Sequence, residues 1–258
     1  MTGLRYVYAV CRPFDLPLQT QLTGIGGAPP AVLHHHGLVA VVSNVSEADF
    51  SEEALKAHLE DLDWLAATAR AHQGVIDALA TVTTPLPLRL GTVFRDCSGV
   101  RAMIEAGEDR FRRTLDRLTG RVEWGVKVYV EPEPEQTGPA PAAAKPVSGR
   151  DYLRSRRERS HAHEEKWQRA EAFAQSLHER LARQAEDSRL HAPQNAALST
   201  APGQNVLNGA YLVTRANSEE FVELVDCTKD EVPGIRVELT GPWAAYSFTE
   251  EESGGEPR

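Results

Sequence analysis

The chain has 258 residues, 41% hydrophobic and 25% charged, enough for one large domain or two ordinary ones with buried cores. A net charge of −9 argues against a general affinity for nucleic acid or anionic membrane, and three scattered cysteines (Cys11, Cys97, Cys227) argue against a disulfide framework or zinc knuckle. No stretch approaches the roughly eighteen apolar residues of a membrane helix, and the run in "MTGLRYVYAVCRP" is too short for a signal peptide, so a cytoplasmic location is expected.

In chain order, "LRYVYAVC" (residues 4–11) reads as a first strand, rich in Val and Tyr and free of breakers. "GIGGAPP" is a loop with neither GxGxxG spacing nor the Gly-Lys-Ser/Thr of a phosphate loop. "AVLHHHGLVAVVSNV" predicts two strands joined near Gly37. A helix opens at Ser51, a good N-cap, and Leu55, Leu59, Leu62, Leu65 and Ala69 recur at helical spacing; Gly74 is expected to break or bend it. In "TVTTPLPLRLGTVF", Pro85 and Pro87 exclude helix and predict an edge strand or a rigid extended segment. Residues 100–118 form the next helix, with Met103, Ile104, Phe111, Leu115 and Leu118 on one side and Gly120 past its end. "EWGVKVYV" alternates as a strand should, with Trp124, Val126, Val128 and Val130 on one face.

"EPEPEQTGPAPAAAKPVSG" is rich in Pro, Ala and Glu and predicts a flexible extended loop over residues 131–148. A long helical pattern follows over 150–187. Its second half is amphipathic through Trp167, Ala170, Phe173, Leu177 and Leu181, whereas its first half is polar on every side and docks on no core by itself. "SRLHAPQNAALST" is a short strand candidate and "VLNGAYLVTR" a strand; "NSEEFVELVDCTKD" is a helix capped by Asn217 or Ser218. "GIRVELTGPWAAYSF" is the last strand, ending in an aromatic anchor, and the acidic tail 249–258 is expected to be disordered. From Glu123 onward the order is β-α-β-β-α-β, that of a ferredoxin-like sheet. The expected fold class is α+β in two domains: an N-terminal α+β domain (1–120) and a C-terminal modified ferredoxin-like domain (121–248) with a long helical insertion.

Candidate chemistry is sparse. His34 and His36 in a strand share one face and offer two metal ligands, but the triplet carries no second His or Cys pair nearby and reads as solvent-facing strand-end histidines. "SHAHEEKW" misses HExxH because Trp167 stands at the second histidine position, and His161 and His163, two apart, do not face each other on a helix. No GxSxG elbow occurs. Residues 148–190 hold ten Lys/Arg against eight Asp/Glu, a mildly basic segment on an acidic chain. Arg150, Arg154, Arg156, Arg157 and Arg159 there spread around the helix without an interleaved aromatic platform for nucleic acid. The expectation is no catalytic, cofactor or metal site.

Six segments in order resemble the GvpF/GvpL family of gas vesicle proteins: "YVYAV" (6–10), "LPLRLGTVF" (86–94), "EWGVKVYV" (123–130), "SGRDYLRSR" (148–156), "VLNGAYLV" (206–213) and "LTGPWAAYSF" (239–248). Two departures stand out: Leu90 where the family commonly has Phe, and Ala244 and Ala245 where it commonly has two prolines. The resemblance implies a non-enzymatic accessory protein without cofactor, found at the gas vesicle and in the cytoplasm. It implies binding to the small hydrophobic shell subunit and to other accessory proteins during nucleation. It also implies two α+β domains, the second modified ferredoxin-like. Covering the shell subunit's apolar face before assembly would prevent aggregation, and an acidic partner would keep the complex soluble. The residues singled out for partner contact are Arg89, Arg154, Arg156, Arg157, Trp243, Tyr246 and Phe248. Two alternatives stay open: an enzyme using the helix that carries His161 and His163, or a nucleic-acid module using the basic residues 150–159.

Overall fold

The computed structural model of the chain describes residues 3–15, 22–27, 29–58, 60–132, 149–193, 203–229 and 231–249. Its contacts divide into two compact units, the described residues of Met1–Glu123 with Pro242–Arg258, and those of Trp124–Gly241. Each unit is built on one antiparallel sheet.

In the first unit, β1 (Leu4–Cys11) is flanked by β3 (Leu38–Val45) and by two short segments, β4 (Leu86–Pro87) and β5 (Val93–Phe94), while β2 (Ala31–His35) pairs the far side of β3. Tyr6 through Cys11 are all fully buried, because both faces of the sheet are covered by helices. Tyr6, Tyr8, Ala9 and Cys11 face a core shared with Val39, Val41 and three residues of α3 (Leu62–Ala80): Val75, Ile76 and Leu79. Val7 and Val10 face the other, shared with Ala40, Val42 and the Ile104, Phe111 and Leu115 of α4 (Cys97–Leu118). Tyr8 and Ala9 lie on the same side although adjacent. A bulge between Val7 and Ala9 in the β1–β3 register explains this, since one extra residue resets the alternation.

The β2–β3 hairpin turns on His36 and Gly37, both left-handed (φ 48° and 68°), the two-residue geometry whose twist matches the strands. Two short helices follow, α1 (Glu47–Phe50), capped by Ser46, and α2 (Glu52–His58). The single helix expected from Ser51 with a break at Gly74 is corrected. The break falls between His58 and Leu62, and α3 runs unbroken through Gly74. Asp61 causes it by accepting from the Asp63 and Trp64 amides, which starts a new helix there. Burying Val75, Ile76 and Leu79 outweighs the cost of about 1 kcal/mol for a mid-helix glycine. Leu62, counted in the apolar stripe, is in fact exposed.

β4 lies at the sheet edge, where Pro87 is tolerated, opposite Ala9. α4 begins at Cys97 rather than Val100, because the Asp96 carboxylate accepts from the Ser98 and Gly99 amides. It ends at Leu118, with Thr119 as its C-cap and the left-handed Gly120 after that.

The second sheet and its helices run β6 (Arg121–Val130, entering the second unit at Trp124), α5 (Gly149–Gln184), β7 (Asp187–Leu190), β8 (Gln204–Thr214), α6 (Ser218–Thr228) and β9 (Ile235–Trp243, leaving it after Gly241), with sheet order β7-β8-β6-β9. Trp124, Val126, Val128 and Val130 of β6 are buried, as their alternation predicts. The buried stripe of α5 is Ala170, Ala174, Leu177 and Leu181, with Trp167 and Phe173 at its margin. Tyr211 of β8 meets both helices: its hydroxyl lies 2.9 Å from His178 Nδ1 and its ring 5.6 Å from that of Phe221. Asn217 is the N-cap of α6, as expected, without a side-chain hydrogen bond; Thr214 caps the preceding 3-10 turn (Arg215–Asn217), its hydroxyl accepting from the Asn217 amide. Most of the Pro/Ala-rich stretch (133–148) and the tail (250–258) lie outside the described residues. Among the described residues, no helix is long and apolar enough to cross a membrane.

Candidate partner-docking surface

"LPLRLGTVF" forms β4, a tight turn and β5 along β1. The Leu88 amide donates to Tyr8 O (2.8 Å) and the Val7 amide to Thr92 O (2.9 Å). The turn closes through Thr92, whose amide and hydroxyl both donate to Arg89 O, and Gly91 takes the left-handed conformation (φ 81°) it requires. Arg89 and Leu90 stand exposed at its tip.

Beneath this turn sits a buried polar cluster. Tyr6 Oη accepts from the Gly91 amide (3.2 Å) and lies 2.8 Å from His72 Nδ1. Burial pushes the Tyr6 phenol up and holds the His72 imidazole down at about 4, so the phenol donates and the ring is neutral. Tyr8 donates to Ser43 Oγ (2.8 Å) and accepts from the Ile25 amide (2.7 Å). The Tyr246 ring lies 6.3 Å from that of His72. Neither His72 Nε2 nor the Tyr246 hydroxyl has a hydrogen-bond partner among the described residues, and burial raises the Tyr246 phenol as it does Tyr6.

The C-terminal aromatics separate in role. Phe248 is fully buried and Tyr246 half-buried against the Tyr6/Tyr8 core, whereas Trp243 is 41% exposed. Ser247 fastens the segment: its amide and hydroxyl donate to the two Glu123 carboxylate oxygens (2.8 and 2.7 Å). Of the three aromatics named from sequence, Trp243 presents the most surface.

Beside β5 opens a groove of about 930 Å³, with Leu4, Phe50, Leu55, Val93 and Phe94 among its walls and Arg5, Glu52, Arg95 and Asp96 at its margins. Sequence reasoning missed Phe50, an isolated aromatic in the polar run "SEADFSEE", and that isolation was its only available mark. In the second unit, Arg154, Arg156 and Arg157 are exposed on the first half of α5, with Leu153 exposed beside them. His161 is exposed, and the side chain of His163 lies outside the described residues.

The histidine triplet departs from its expected geometry. β2 stops at His35 and His36 enters the turn, so His34 and His36 do not share a strand face. The partners come instead from α4: His35 Nε2 lies 2.6 Å from Glu105 Oε1, and His36 Nδ1 2.7 Å from Glu108 Oε2.

Residues 4–250 match the family model described as gas vesicle synthesis protein GvpL/GvpF. The chain is 59% identical over 247 residues to gas vesicle protein L of Streptomyces sp. (strain CB03234), covering 95% of this chain and 92% of that one. Gas vesicle protein F of the same strain is 26% identical, covering 95% and 99%. Among solved structures, GvpF from Anabaena sp. PCC7120 superposes with a TM-score of 0.68 at 16% identity, over 99% of this chain and all of that one; GvpF from Microcystis aeruginosa gives 0.65 at 18%, over 97% and 100%. The three segments that meet around His72 ("YVYAV", "LPLRLGTVF" and the end of "LTGPWAAYSF") lie within a match running almost end to end, and the chain belongs to the GvpL/GvpF family of gas vesicle synthesis proteins.

Proposed function

We propose that this chain is a non-enzymatic accessory protein that binds the small hydrophobic gas vesicle shell subunit and other accessory proteins during nucleation, at the vesicle and in the cytoplasm. One observation carries the reading. Segments that mark the chain as a family member pack together in the first unit, beside an open groove with an apolar floor and charged margins. Such a groove takes an amphipathic segment, burying its apolar side while the margins pair its polar side. Leu90 and Arg89 at the turn tip and Trp243 extend the contact; Tyr246 supports it from the core below, and Phe248 is buried within the same C-terminal turn. The basic residues Arg154, Arg156 and Arg157 of α5 meet the acidic surface of a second accessory protein. The second unit is read as a modified ferredoxin-like domain, supported by its element order and by β6 lying between β8 and β9.

The test is co-expression of the full chain with the shell subunit, followed by pull-down from the soluble fraction. Wild type should retain the subunit. Leu90→Asp combined with Leu55→Asp should lower retention by about tenfold, a loss of roughly 1.4 kcal/mol. Arg154, Arg156 and Arg157 changed together to Glu should keep the shell subunit and lose accessory proteins. A soluble shell subunit that wild type does not retain sinks the proposal.

A further inference from the structure

We propose that His35, His36 and Glu105 of the first unit, with Glu108 and Arg112 behind them, bind a divalent transition-metal ion of the zinc class. One ligand atom from each of the three lies within 4.8 Å of the other two. Around a tetrahedral zinc with bonds near 2.0–2.1 Å, neighbouring ligand atoms stand about 3.4 Å apart, so small side-chain rotations close the site. His35 Nε2 and Glu105 Oε1 already lie within hydrogen-bond distance (2.6 Å), and the cation takes the place of that contact.

Two further features distinguish this cluster from a pair of surface ion pairs. The first is the support behind His36. Glu108 takes its Nδ1, and Arg112 holds Glu108 in turn through Nε (3.0 Å) while also donating to His36 O. A carboxylate on the far nitrogen fixes a ligating imidazole and raises its basicity, leaving Nε2 to bind the ion. The second is the backbone. His36 sits at φ 48°, a conformation that favours Gly or Asn, and it is this turn that brings its ring to 4.4 Å from the His35 ring, above α4. Two imidazoles and one carboxylate suit zinc, nickel or copper rather than magnesium or calcium, and water completes the coordination at an exposed site. The bound ion ties the β2–β3 turn to α4.

The experiment is calorimetric titration of the full chain, free of any histidine tag, with zinc chloride at pH 7.5, and metal analysis after dialysis. One zinc per chain is expected, with no heat from magnesium. His36→Asn, which tolerates the left-handed backbone, and Glu105→Gln should each weaken binding by at least about tenfold. His34→Gln, outside the cluster, should leave it unchanged. Zinc should raise the Tm of wild type but not of His36→Asn. The proposal is overturned if folded wild type takes up no zinc, or if His36→Asn and Glu105→Gln bind it as wild type does.

Discussion

At the scale of single residues, His72 is where burial acts against ionisation inside the ordinary working range of pH. It is 4% exposed, its Nδ1 is engaged by Tyr6, and its imidazole is held at about 4 against an ordinary 6.5. Between those values the unfolded chain binds a proton that the folded chain refuses, so stability rises with pH across the window and falls as pH drops through it. Between pH 7 and pH 5 the loss from this one group should be about 2 kcal/mol. Urea denaturation at the two values measures it, and His72→Gln should flatten that part of the dependence. Phe248 offers a second test: fully buried, it should cost about 3–5 kcal/mol when changed to Ala, read as a lower denaturation midpoint. Composition does not separate Phe248 from Trp243, which share one short aromatic run. The separation depends on the 3-10 turn at Tyr246–Phe248, which turns Phe248 into the core and leaves Trp243 outside.

At the scale of elements, most strands and helices were legible because their periodicity agrees with their burial. β6 alternates as written, and the first strand was placed at the residues it occupies. Departures arose where a single polar side chain decides a boundary. Asp61 and Asp96 each start a helix by accepting amide protons, and a carboxylate inside a polar run looks the same whether or not it caps. Asp61→Ala should therefore cost about 1 kcal/mol and fray the first turn of α3, seen as faster amide exchange at Asp63 and Trp64. The bulge in β1 was equally hidden: "YVYAVC" is apolar throughout, so nothing in it records that Tyr8 and Ala9 face the same way. The groove beside β5, proposed as a docking site, and the histidine–carboxylate cluster were illegible for a different reason. Each is assembled from segments far apart in the chain: His35 and Glu105 are 70 positions apart.

At the scale of the whole molecule, the first unit is discontinuous. Residues up to Glu123 supply its sheet and helices, and the segment from Pro242 supplies Ala245, Tyr246 and Phe248. A chain ended at Gly241 should lose amide-exchange protection in β1 and α3 while β8 keeps it. The reverse pattern would contradict the assignment of these residues to the first unit. That discontinuity also bears on synthesis. A nascent chain emerges from its N-terminus, and domains commonly fold in that order. Here the first unit waits for residues 242–249 to be made before Tyr246 can pack on its core and Ser247 can reach Glu123. Phe50 of the groove belongs to the core on which Tyr246 packs. A polypeptide not yet extended past Gly241 therefore lacks the packing of Tyr246 and the Ser247–Glu123 hydrogen bonds, and the proposed docking groove would mature only once residues 242–249 have been made.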